Sequence, residues 1–195
     1  SYKIFGSSPE AQLIVNAKEA VIYPIAGTFR RTGDDAADAD LARKLLEDPK
    51  ENSEHIMLVD LARNDLSKFT SEVTVETYKE VQYYSHVIHL VSKVTGQLDL
   101  ASDSLDIVAS TFPAGTLSGA PKHRAMELIG QYEKSARGYY GGAIGFMDFE
   151  GVFNHAIMIR TFLSQGGKLI FRAGAGIVSK SVPENEVQEV YNKLA

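Results

Sequence analysis

Apolar residues recur with a helical period in two consecutive stretches of the first third of the chain. Residues 35–47 place three leucines on one face, which predicts an amphipathic helix. The stretch from Lys50 to Asp65 predicts a second helix, since Asp48 can act as its N-cap and Pro49 suits its first position. The two helices are expected to follow each other directly.

Shorter stretches of alternating or β-branched residues predict strands. They cover residues 2–6, 12–15, 20–24, 72–75, 84–94, 143–148, 152–163 and 168–173. We expect the first three to form a meander that ends at residues 25–28 and is followed by a loop. Further helices are predicted over residues 102–110, after Pro121, and at the end of the chain, where Ser181–Glu184 forms a capping box.

The length and the hydrophobic fraction suit one folded unit. A chain of 195 residues that is 44% hydrophobic can bury a single core, so we expect one domain. The strands near the carboxyl end are separated by short turn sequences, which favour antiparallel hairpins. The predicted fold class is α+β, with largely antiparallel sheets covered by helices.

Composition excludes several classes of function. A net charge of −5 and a pI near 5.5 leave no basic surface for nucleic acid or anionic lipid. The absence of cysteine excludes disulfides, thiolate metal sites and a cysteine nucleophile, and it suits a reducing compartment. No apolar run approaches the roughly 18 residues that a membrane span needs. An anionic ligand must therefore be met by a few placed cations.

Two pairs of glutamates are spaced three residues apart on predicted helices. Glu51 and Glu54 share the inward face of the second helix with Leu58, and Glu186 and Glu189 repeat the spacing in the closing helix. Carboxylates on an inward face repel each other and are costly to desolvate. If the two pairs met, a cluster of oxygen ligands would favour Mg²⁺. The alternative is that each pair forms a solvated helix face.

Two other side chains are candidates for chemistry because of their apolar surroundings. His89 is flanked by apolar residues in a predicted strand, which suits either a buried proton carrier or a hydrogen-bonded structural imidazole. Arg160 lies within the apolar stretch 152–163 and needs an anionic partner there. That partner is either a structural carboxylate or the carboxylate of a ligand.

Three segments with glycine would let the backbone approach a ligand. Gly27 ends the predicted meander, where an ordinary turn is the alternative. Residues 111–121 lead into a helix that starts beside Lys122 and Arg124, a pattern typical of anion sites but also present at ordinary helix starts. Gly174–Gly176 follows the last predicted strand and offers bare N–H groups to a carboxylate.

Nine motifs run along the whole chain in one order. They are SPE at 8–10, PIAGT at 24–28, KENSEHIMLVDLARND at 50–65, HLVSKV at 89–94, FPAGTLSGAPK at 112–122, RGYYGGAIG at 137–145, IMIRT at 157–161, AGAGIV at 173–178 and SVPENEVQEVYNK at 181–193. In wording and order they resemble the chorismate-utilising enzymes, most closely the anthranilate synthase component I family. The resemblance covers all of this chain but only part of the family fold. We therefore expect residues 1–195 to be the carboxy-terminal part of the chorismate-binding catalytic domain, without its amino-terminal part.

The resemblance implies a Mg²⁺-dependent reaction on chorismate, which has a ring carboxylate, an enolpyruvyl carboxylate and a C4 hydroxyl. Ammonia would add at C2 as the hydroxyl leaves, and elimination of pyruvate would give anthranilate. Glu54 and Glu189 would hold Mg²⁺, and Glu51 and Glu186 would bind it directly or through water. The ion would in turn bind the ring carboxylate.

The resemblance also implies roles for the remaining site residues. Glu10 would protonate the departing hydroxyl, which requires a raised pKa, and His89 would handle a proton during pyruvate loss. Thr28 would stand with them at the catalytic centre and would line the ring together with Gly27 and Thr116. The enolpyruvyl carboxylate would be bound by a further set: Arg160, Gly174, Ala175, Gly176, Tyr140 and Lys193.

One position separates close relatives. Aminodeoxychorismate synthases carry lysine in the third place of the PIAGT motif, where an amine attacks the ring, but this chain has Ala26. Isochorismate and salicylate synthases, which use water, are the alternative, and a fragment that only binds or assembles is a second. The preferred resemblance implies a cytoplasmic enzyme of tryptophan biosynthesis with a glutamine amidotransferase subunit, component II, as partner. These residues alone are expected to be inactive or nearly so.

Overall fold

The computed structural model describes residues 1–16, 18–98, 104–179 and 181–194. The strands are β1 (Tyr2–Gly6), β2 (Ala11–Asn16), β3 (Glu19–Ile22), β4 (Ile25–Arg30), β5 (Thr70–Tyr83), β6 (Val87–Leu98), β7 (Ala143–Met147), β8 (Phe153–Ile157), β9 (Thr161–Gln165) and β10 (Lys168–Phe171). The helices are α1 (Asp35–Glu47), α2 (Pro49–Leu66), α3 (Ser104–Thr111), α4 (Gly115–Ser118), α5 (Lys122–Tyr132) and α6 (Pro183–Leu194).

The strands form two sheets. In the seven-stranded sheet the order is β4-β6-β3-β2-β8-β7, with β5 paired to β6, and in the three-stranded sheet it is β1-β9-β10. The ladders between the described strands are antiparallel. The predicted α+β class with antiparallel sheets and helical cover is confirmed.

The core lies between the seven-stranded sheet and the helices that pack on it. Leu45 of α1 belongs to a buried cluster with Leu90 of β6, and Leu66 of α2 belongs to a second one with Leu13 and Val94. Burying one such side chain contributes about 1.5–3 kcal/mol. This packing fixes α1 and α2 against β4 and β6, which matters because the candidate site lies at the start of α2.

Strand β4 contradicts the expectation that the meander ends at residues 25–28. It continues to Arg30 and carries a bulge, in which Gly27 has a φ of +72° while Ala26 and Thr28 pair with consecutive residues of β6. A bulged residue interrupts the alternation of side chains along a strand. The sequence therefore looked like a turn where the strand only bends.

Strand β5 is much longer than the predicted strand at residues 72–75. It extends over Thr70–Tyr83, but Glu72 and Lys79 have φ values of 51° and 53°, and its register with β6 shifts at several points. These irregularities hide the period of two. The partner strand β6 begins at Val87, three residues later than the predicted start.

The predicted strand 152–163 is in fact two strands in different sheets. The chain leaves the seven-stranded sheet after β8 and enters the three-stranded sheet at β9, and Arg160 lies at the break with a φ of 49°. Strand β1 pairs with β9 and not with β2, so the expected meander of the first three strands is wrong. The break changes the environment of Arg160, which no longer lies in the middle of an apolar strand.

Helices α3, α5 and α6 agree with the sequence to within a few residues, whereas the short helix α4 lies in the predicted loop 111–121. Helix α3 begins at Ser104, and residues 102 and 103 of the predicted helix lie outside the described residues. Helix α6 begins at Pro183, and its first carbonyl acceptor belongs to Val182 rather than Ser181, whose hydroxyl accepts from the N–H of Val178. Within the described ranges, no helix has the length and apolar character needed to cross a bilayer.

Candidate active site

The first acidic pair is set by the start of α2. The Asp48 carboxylate accepts hydrogen bonds from the N–H groups of Lys50 and Glu51 at 2.8 and 3.0 Å, and Pro49 occupies the first turn, as predicted. Leu58 on the same face is buried, and Glu51 and Glu54 are half-buried. The packing of α2 on the sheet therefore turns both carboxylates inward.

The second acidic pair comes from α6 and meets the first. Glu186 is only 4% exposed, and its Oε1 lies 3.2 Å from the Lys50 ammonium of α2. Glu189 is half-buried and raises the pKa of Glu54 by charge repulsion. We call Glu51, Glu54, Glu186 and Glu189 the acidic cluster. The reading of the two pairs as separate solvated faces does not describe this arrangement.

The electrostatics of the acidic cluster differ between its members. Burial raises the pKa of Glu54, and repulsion from Glu189 adds to it. Burial likewise raises the pKa of Glu51, with a further increase from the charge of Glu54. For Glu186, the Ser181 hydroxyl and the Lys50 ammonium outweigh burial and lower its pKa. The cluster therefore holds more negative charge than its own cations balance.

The donor chemistry of the acidic cluster fits a hard divalent cation. Its ligand atoms are carboxylate oxygens, and the buried Oε2 of Glu186 has no hydrogen-bond partner in the described structure. Among the described residues, no three acidic or histidine side chains lie in an arrangement that could hold a metal ion without rearrangement. The residues thus fit Mg²⁺ in the type of their ligand atoms, and the carboxylates would have to move closer together to bind it.

Glycine backbone lies directly against the acidic cluster. A Cβ atom added at Gly27 would lie 3.2 Å from Oε2 of Glu51, and one added at Gly176 would lie 3.3 Å from Oε1 of Glu54. At Gly174, the added Cβ would lie 3.2 Å from the hydroxyl of Tyr140. The segment Gly174–Gly176, with Ala175 between its glycines, therefore runs from the tyrosine hydroxyl to the acidic cluster.

A group of cations and hydrogen-bond donors lies at the other side of this segment. Lys193 donates to the carbonyl of Gly174 at 2.9 Å and pairs with Glu189 at 2.8 Å, so it stands between the two parts of the site. Arg160 is exposed and acts electrostatically on both Glu10 and His89. We call Arg160, Lys193, Tyr140 and Glu10 the cationic end, because Arg160 and Lys193 are its charged donors.

Glu10 lies next to the loop that contains α4. The Thr116 hydroxyl donates to its Oε2 at 3.3 Å. Burial raises the pKa of Glu10 above its ordinary 4.5, although Thr116 and the charges of Arg160 and Lys193 oppose this. Burial also raises the pKa of Tyr140, whose hydroxyl therefore stays a donor. A carboxyl group with a raised pKa beside two cations suits a general acid.

The bulge in β4 explains the position of His89. Its Nδ1 lies 2.9 Å from the carbonyl oxygen of Gly27 and 3.1 Å from the hydroxyl of Thr28. Since a carbonyl only accepts, Nδ1 carries the proton and Nε2 is the basic nitrogen of the neutral ring. Burial lowers the pKa of His89. The ring is therefore a hydrogen-bonded imidazole, as one of the two sequence interpretations expects, and its role as a proton carrier stays a prediction.

The loop at residues 111–121 does not form the anion site that its pattern indicated. Lys122 donates to the Asp65 carboxylate at 2.6 Å and to the carbonyl of Thr111 at 2.8 Å. Arg124 pairs with Glu127. Both cations are engaged with the protein, and the contribution of this loop to the site is Thr116.

Lys50 and Ser181 both contact Glu186 of the acidic cluster, and neither was predicted from the sequence as a site residue. Lys50 directly precedes Glu51, so a cation beside the first acidic pair was visible in the sequence. Its partner Glu186 is 136 residues away, and no local pattern reports such a contact. The position of Ser181 depends in the same way on how α6 docks.

Comparison with known proteins gives a consistent result. The chorismate binding enzyme family model matches residues 1–195. Anthranilate synthase component 1 of Mycobacterium bovis is 50% identical over 194 residues, which cover 98% of this chain and 38% of the relative. The same protein of Aquifex aeolicus is 46% identical over 193 residues, which cover 98% of this chain and 39% of the relative. The chain thus spans about two fifths of the length of these relatives.

Solved structures share the fold. Anthranilate synthase component I from Streptococcus pneumoniae superimposes with a TM-score of 0.88 at 43% identity, covering 98% of this chain and 42% of that one. The menaquinone-specific isochorismate synthase from Escherichia coli gives 0.89 at 27% identity, covering 99% and 44%. Because the family model matches this chain from residue 1 to residue 195, the chain belongs to the chorismate binding enzymes.

Proposed function

We propose that this chain carries the catalytic groups of an anthranilate synthase, which converts chorismate and ammonia to anthranilate, pyruvate and water. The observation that supports this most is the meeting of the two acidic pairs of α2 and α6 beside Gly174–Gly176. Such an arrangement supports the proposal of a cation site next to donors for a second carboxylate. Relatives that are named anthranilate synthase component 1 and are about 50% identical favour this chemistry within the family.

The acidic cluster is the proposed Mg²⁺ site. Glu54 and Glu189 would hold the ion, with Glu51 and Glu186 binding directly or through water, since Mg²⁺ retains several waters in most protein sites. Bound Mg²⁺ would neutralise the cluster and supply a Lewis-acidic contact for the ring carboxylate of chorismate. The unpartnered Oε2 of Glu186 and the half-buried Glu54 support this assignment.

The cationic end would bind the enolpyruvyl carboxylate. Arg160 presents a planar pair of donors, and in the described structure it forms no ion pair within 4.0 Å. The Tyr140 hydroxyl and the Lys193 ammonium both lie beside Gly174, at the start of the segment Gly174–Gly176 whose N–H groups would add further donors. Together they can orient a carboxylate while the acidic cluster repels it from the other side.

Glu10 would be the general acid. In its protonated form it can donate a proton to the C4 hydroxyl as this group leaves as water, while ammonia adds at C2. The Thr116 hydroxyl orients the carboxyl group, and the buried setting keeps the proton on it at higher pH than in an exposed glutamate. Gly27, Thr28 and Thr116 would line the ring.

His89 would accept a proton during the loss of pyruvate, when the ring becomes aromatic. Its Nδ1–H is engaged with the Gly27 carbonyl, which leaves Nε2 unprotonated and available. Burial lowers its pKa, so the ring is neutral near pH 7 and can take up a proton. The Thr28 hydroxyl, 3.1 Å from Nδ1, helps to hold the ring in this orientation.

Ammonia would come from a glutamine amidotransferase subunit, component II, and the enzyme would act in the cytoplasm in tryptophan biosynthesis. A second candidate is isochorismate synthase, in which water replaces ammonia, because such an enzyme shares the fold at a TM-score of 0.89. The two candidates predict different products from the same substrate. With Ala26 in place of a lysine, covalent attack by the protein on the ring is not proposed.

The test combines binding and turnover. Calorimetry on these 195 residues should detect Mg²⁺, and then chorismate in the presence of Mg²⁺. A protein that carries this chain at the length of its relatives should produce fluorescent anthranilate from chorismate, ammonium and Mg²⁺. Isochorismate or salicylate as the product would favour the second candidate. If neither chorismate binding nor turnover were observed, the proposal would be wrong, and robust turnover by the 195 residues alone would contradict our expectation that they are nearly inactive.

A further inference from the structure

Two cations contact the acidic cluster: Lys50 of α2 pairs with the buried Glu186, and Lys193 of α6 pairs with Glu189. The Lys50 ammonium is 3.2 Å from Oε1 of Glu186, and the charges of Glu189 and Glu51 also act on it. Burial lowers the pKa of Lys50, but these carboxylates outweigh the effect and raise it. The side chain therefore remains an ammonium, and its charge partly neutralises the cluster when no other cation is bound.

The two partners of this ion pair differ in freedom. The Glu186 side chain is 5% exposed and held between α6 and α2, whereas the Lys50 side chain is 34% exposed. A lysine side chain has four rotatable bonds and can keep its stem in place while the ammonium moves toward solvent. If another cation required Glu186, Lys50 is the partner that would leave.

A divalent cation and the ammonium would need the same carboxylates. The ammonium already pairs with Oε1 of Glu186, one of the proposed ligands, and Lys50 directly precedes Glu51, another of them, in α2. A divalent ion placed among these oxygens would lie close to the ammonium and be repelled by it. The Oε2 of Glu186 is free for a metal, but Oε1 is held by the competing cation.

We propose that Lys50 is a resident counter-ion of the acidic cluster, which a divalent cation must displace from Glu186 in order to bind. The inference rests on the proposed Mg²⁺ site. Lys50 acts in two ways: it keeps the cluster of like charges folded without metal, and it lowers the affinity for the ion. Lys50 is therefore a positioning residue that sets the Mg²⁺ concentration at which the site fills, and it takes no part in the chemistry.

Three variants separate competition from support. Lys50→Met removes the ammonium and keeps most of the stem, and Lys50→Arg keeps a cation that can bond both oxygens of Glu186. Lys68→Met is the matched control, since Lys68 lies just after the end of α2, is more exposed, and pairs with Asp65 outside the acidic cluster. Mg²⁺ binding is measured by calorimetry, and the melting temperature is measured with EDTA and with Mg²⁺.

We expect Lys50→Met to bind Mg²⁺ about tenfold more tightly than the unaltered protein, a factor that corresponds to about 1.4 kcal/mol. Its melting temperature in EDTA should fall, and Mg²⁺ should raise it by more than in the unaltered protein. Lys50→Arg should bind Mg²⁺ more weakly, and Lys68→Met should match the unaltered protein.

The outcomes distinguish this inference from the proposed function. If the unaltered protein binds no Mg²⁺, the proposed metal site fails. If it binds Mg²⁺ but Lys50→Met binds equally or more weakly, the competition proposal is overturned and Lys50 supports the site. Should Lys50→Met not fold, the comparison of Lys50→Arg with the unaltered protein decides, because equal or tighter binding by the arginine variant would overturn the proposal.

Discussion

At the acidic cluster, four carboxylates from two helices far apart in sequence are held together with too few cations, whereas the cationic end holds two cations beside a carboxyl group whose pKa is raised by burial. The first arrangement attracts a cation and the second attracts an anion. Lys193 touches both, since it pairs with Glu189 and donates to the Gly174 carbonyl. If the proposed Mg²⁺ binds at the acidic cluster, a ligand with two carboxylates would be oriented by charge, with one carboxylate bound through the ion and the other bound directly.

This comparison teaches that the two parts of the site can be altered independently. Changes in the acidic cluster should alter the dependence on Mg²⁺, and changes at the cationic end should alter substrate affinity or pH dependence while metal binding persists. Each variant below alters one part of the site. If it changed the property assigned to the other part, the two parts would not be independent.

The largest effect is expected for Glu54→Gln. The amide keeps the size of the side chain but removes one negative charge and a metal ligand from the acidic cluster. Kinetic tests of this and the other variants use a protein that carries this chain at the length of its relatives. In that protein we expect kcat/KM to fall by about 10³-fold, as when a group that stabilises developing charge is lost. The increase of the melting temperature by Mg²⁺ should also disappear.

Asp60→Asn is the control for Glu54→Gln. Asp60 is on the same helix, but its side chain is 64% exposed and pairs with Arg63. Its replacement should leave kcat/KM and the Mg²⁺ effect within about twofold, since exposed ion pairs contribute little. An unchanged Mg²⁺ dependence in Glu54→Gln would remove the basis of the metal assignment.

The second largest effect concerns Glu10 and pH. A general acid must be protonated, so kcat/KM should be constant below the raised pKa of Glu10 and should fall as the pH rises through it. Glu10→Gln should lower kcat/KM by about 10²-fold and abolish this alkaline decrease.

Metal binding tests whether the effect of Glu10 stays at the cationic end. Glu10→Gln should bind Mg²⁺ with unchanged affinity in calorimetry, because the pKa values of Glu51, Glu54 and Glu186 are shifted by burial and by neighbours other than Glu10. A pH profile that keeps its alkaline limb in Glu10→Gln would assign the titration to another group.

The third effect is expected for Arg160→Lys. Lysine keeps the charge but offers no planar pair of donors, so the carboxylate that Arg160 is proposed to bind loses one hydrogen bond. We expect KM for chorismate to rise about tenfold with a smaller change in kcat, in steady-state assays at saturating Mg²⁺. Arg63→Lys, on the exposed side of α2, should leave KM unchanged, and a tenfold fall in Mg²⁺ affinity in Arg160→Lys would contradict the separation of the two parts.

The sequence predicted the features that depend on neighbours along the chain. Helix α2 was predicted with its N-cap because Asp48 and Pro49 act within one turn, and the inward face of Glu51 and Glu54 follows from helical spacing. The meeting of this face with Glu186 depends on contacts across more than 130 residues. The expectation that they meet came from the resemblance of nine motifs to a family.

The errors in the prediction have physical causes. Arg160 was placed inside a strand because its neighbours are apolar, but a positive φ at this residue moves the chain from one sheet to the other. The bulge at Gly27 and the register shifts of β5 likewise break the period on which strand prediction depends. Lys122 was read as a free cation because Asp65, its partner, is 57 residues away.

The smallest effect compares two glycines of one segment, each at a different part of the site. Gly176→Ala would place a methyl group 3.3 Å from Oε1 of Glu54, and Gly174→Ala would place one 3.2 Å from the Tyr140 hydroxyl. Neither glycine has a positive φ, so the added methyl group acts by contact and not by backbone strain. Because Glu54 can shift by a few tenths of an ångström, we expect Gly176→Ala to weaken Mg²⁺ binding only about threefold, a change of well under 1.4 kcal/mol. Gly174→Ala should leave Mg²⁺ binding unchanged and raise KM for chorismate by a similar factor. Calorimetry and steady-state kinetics on both variants would show this crossed pattern, and equal effects of the two substitutions on Mg²⁺ binding would show that the segment acts as one unit.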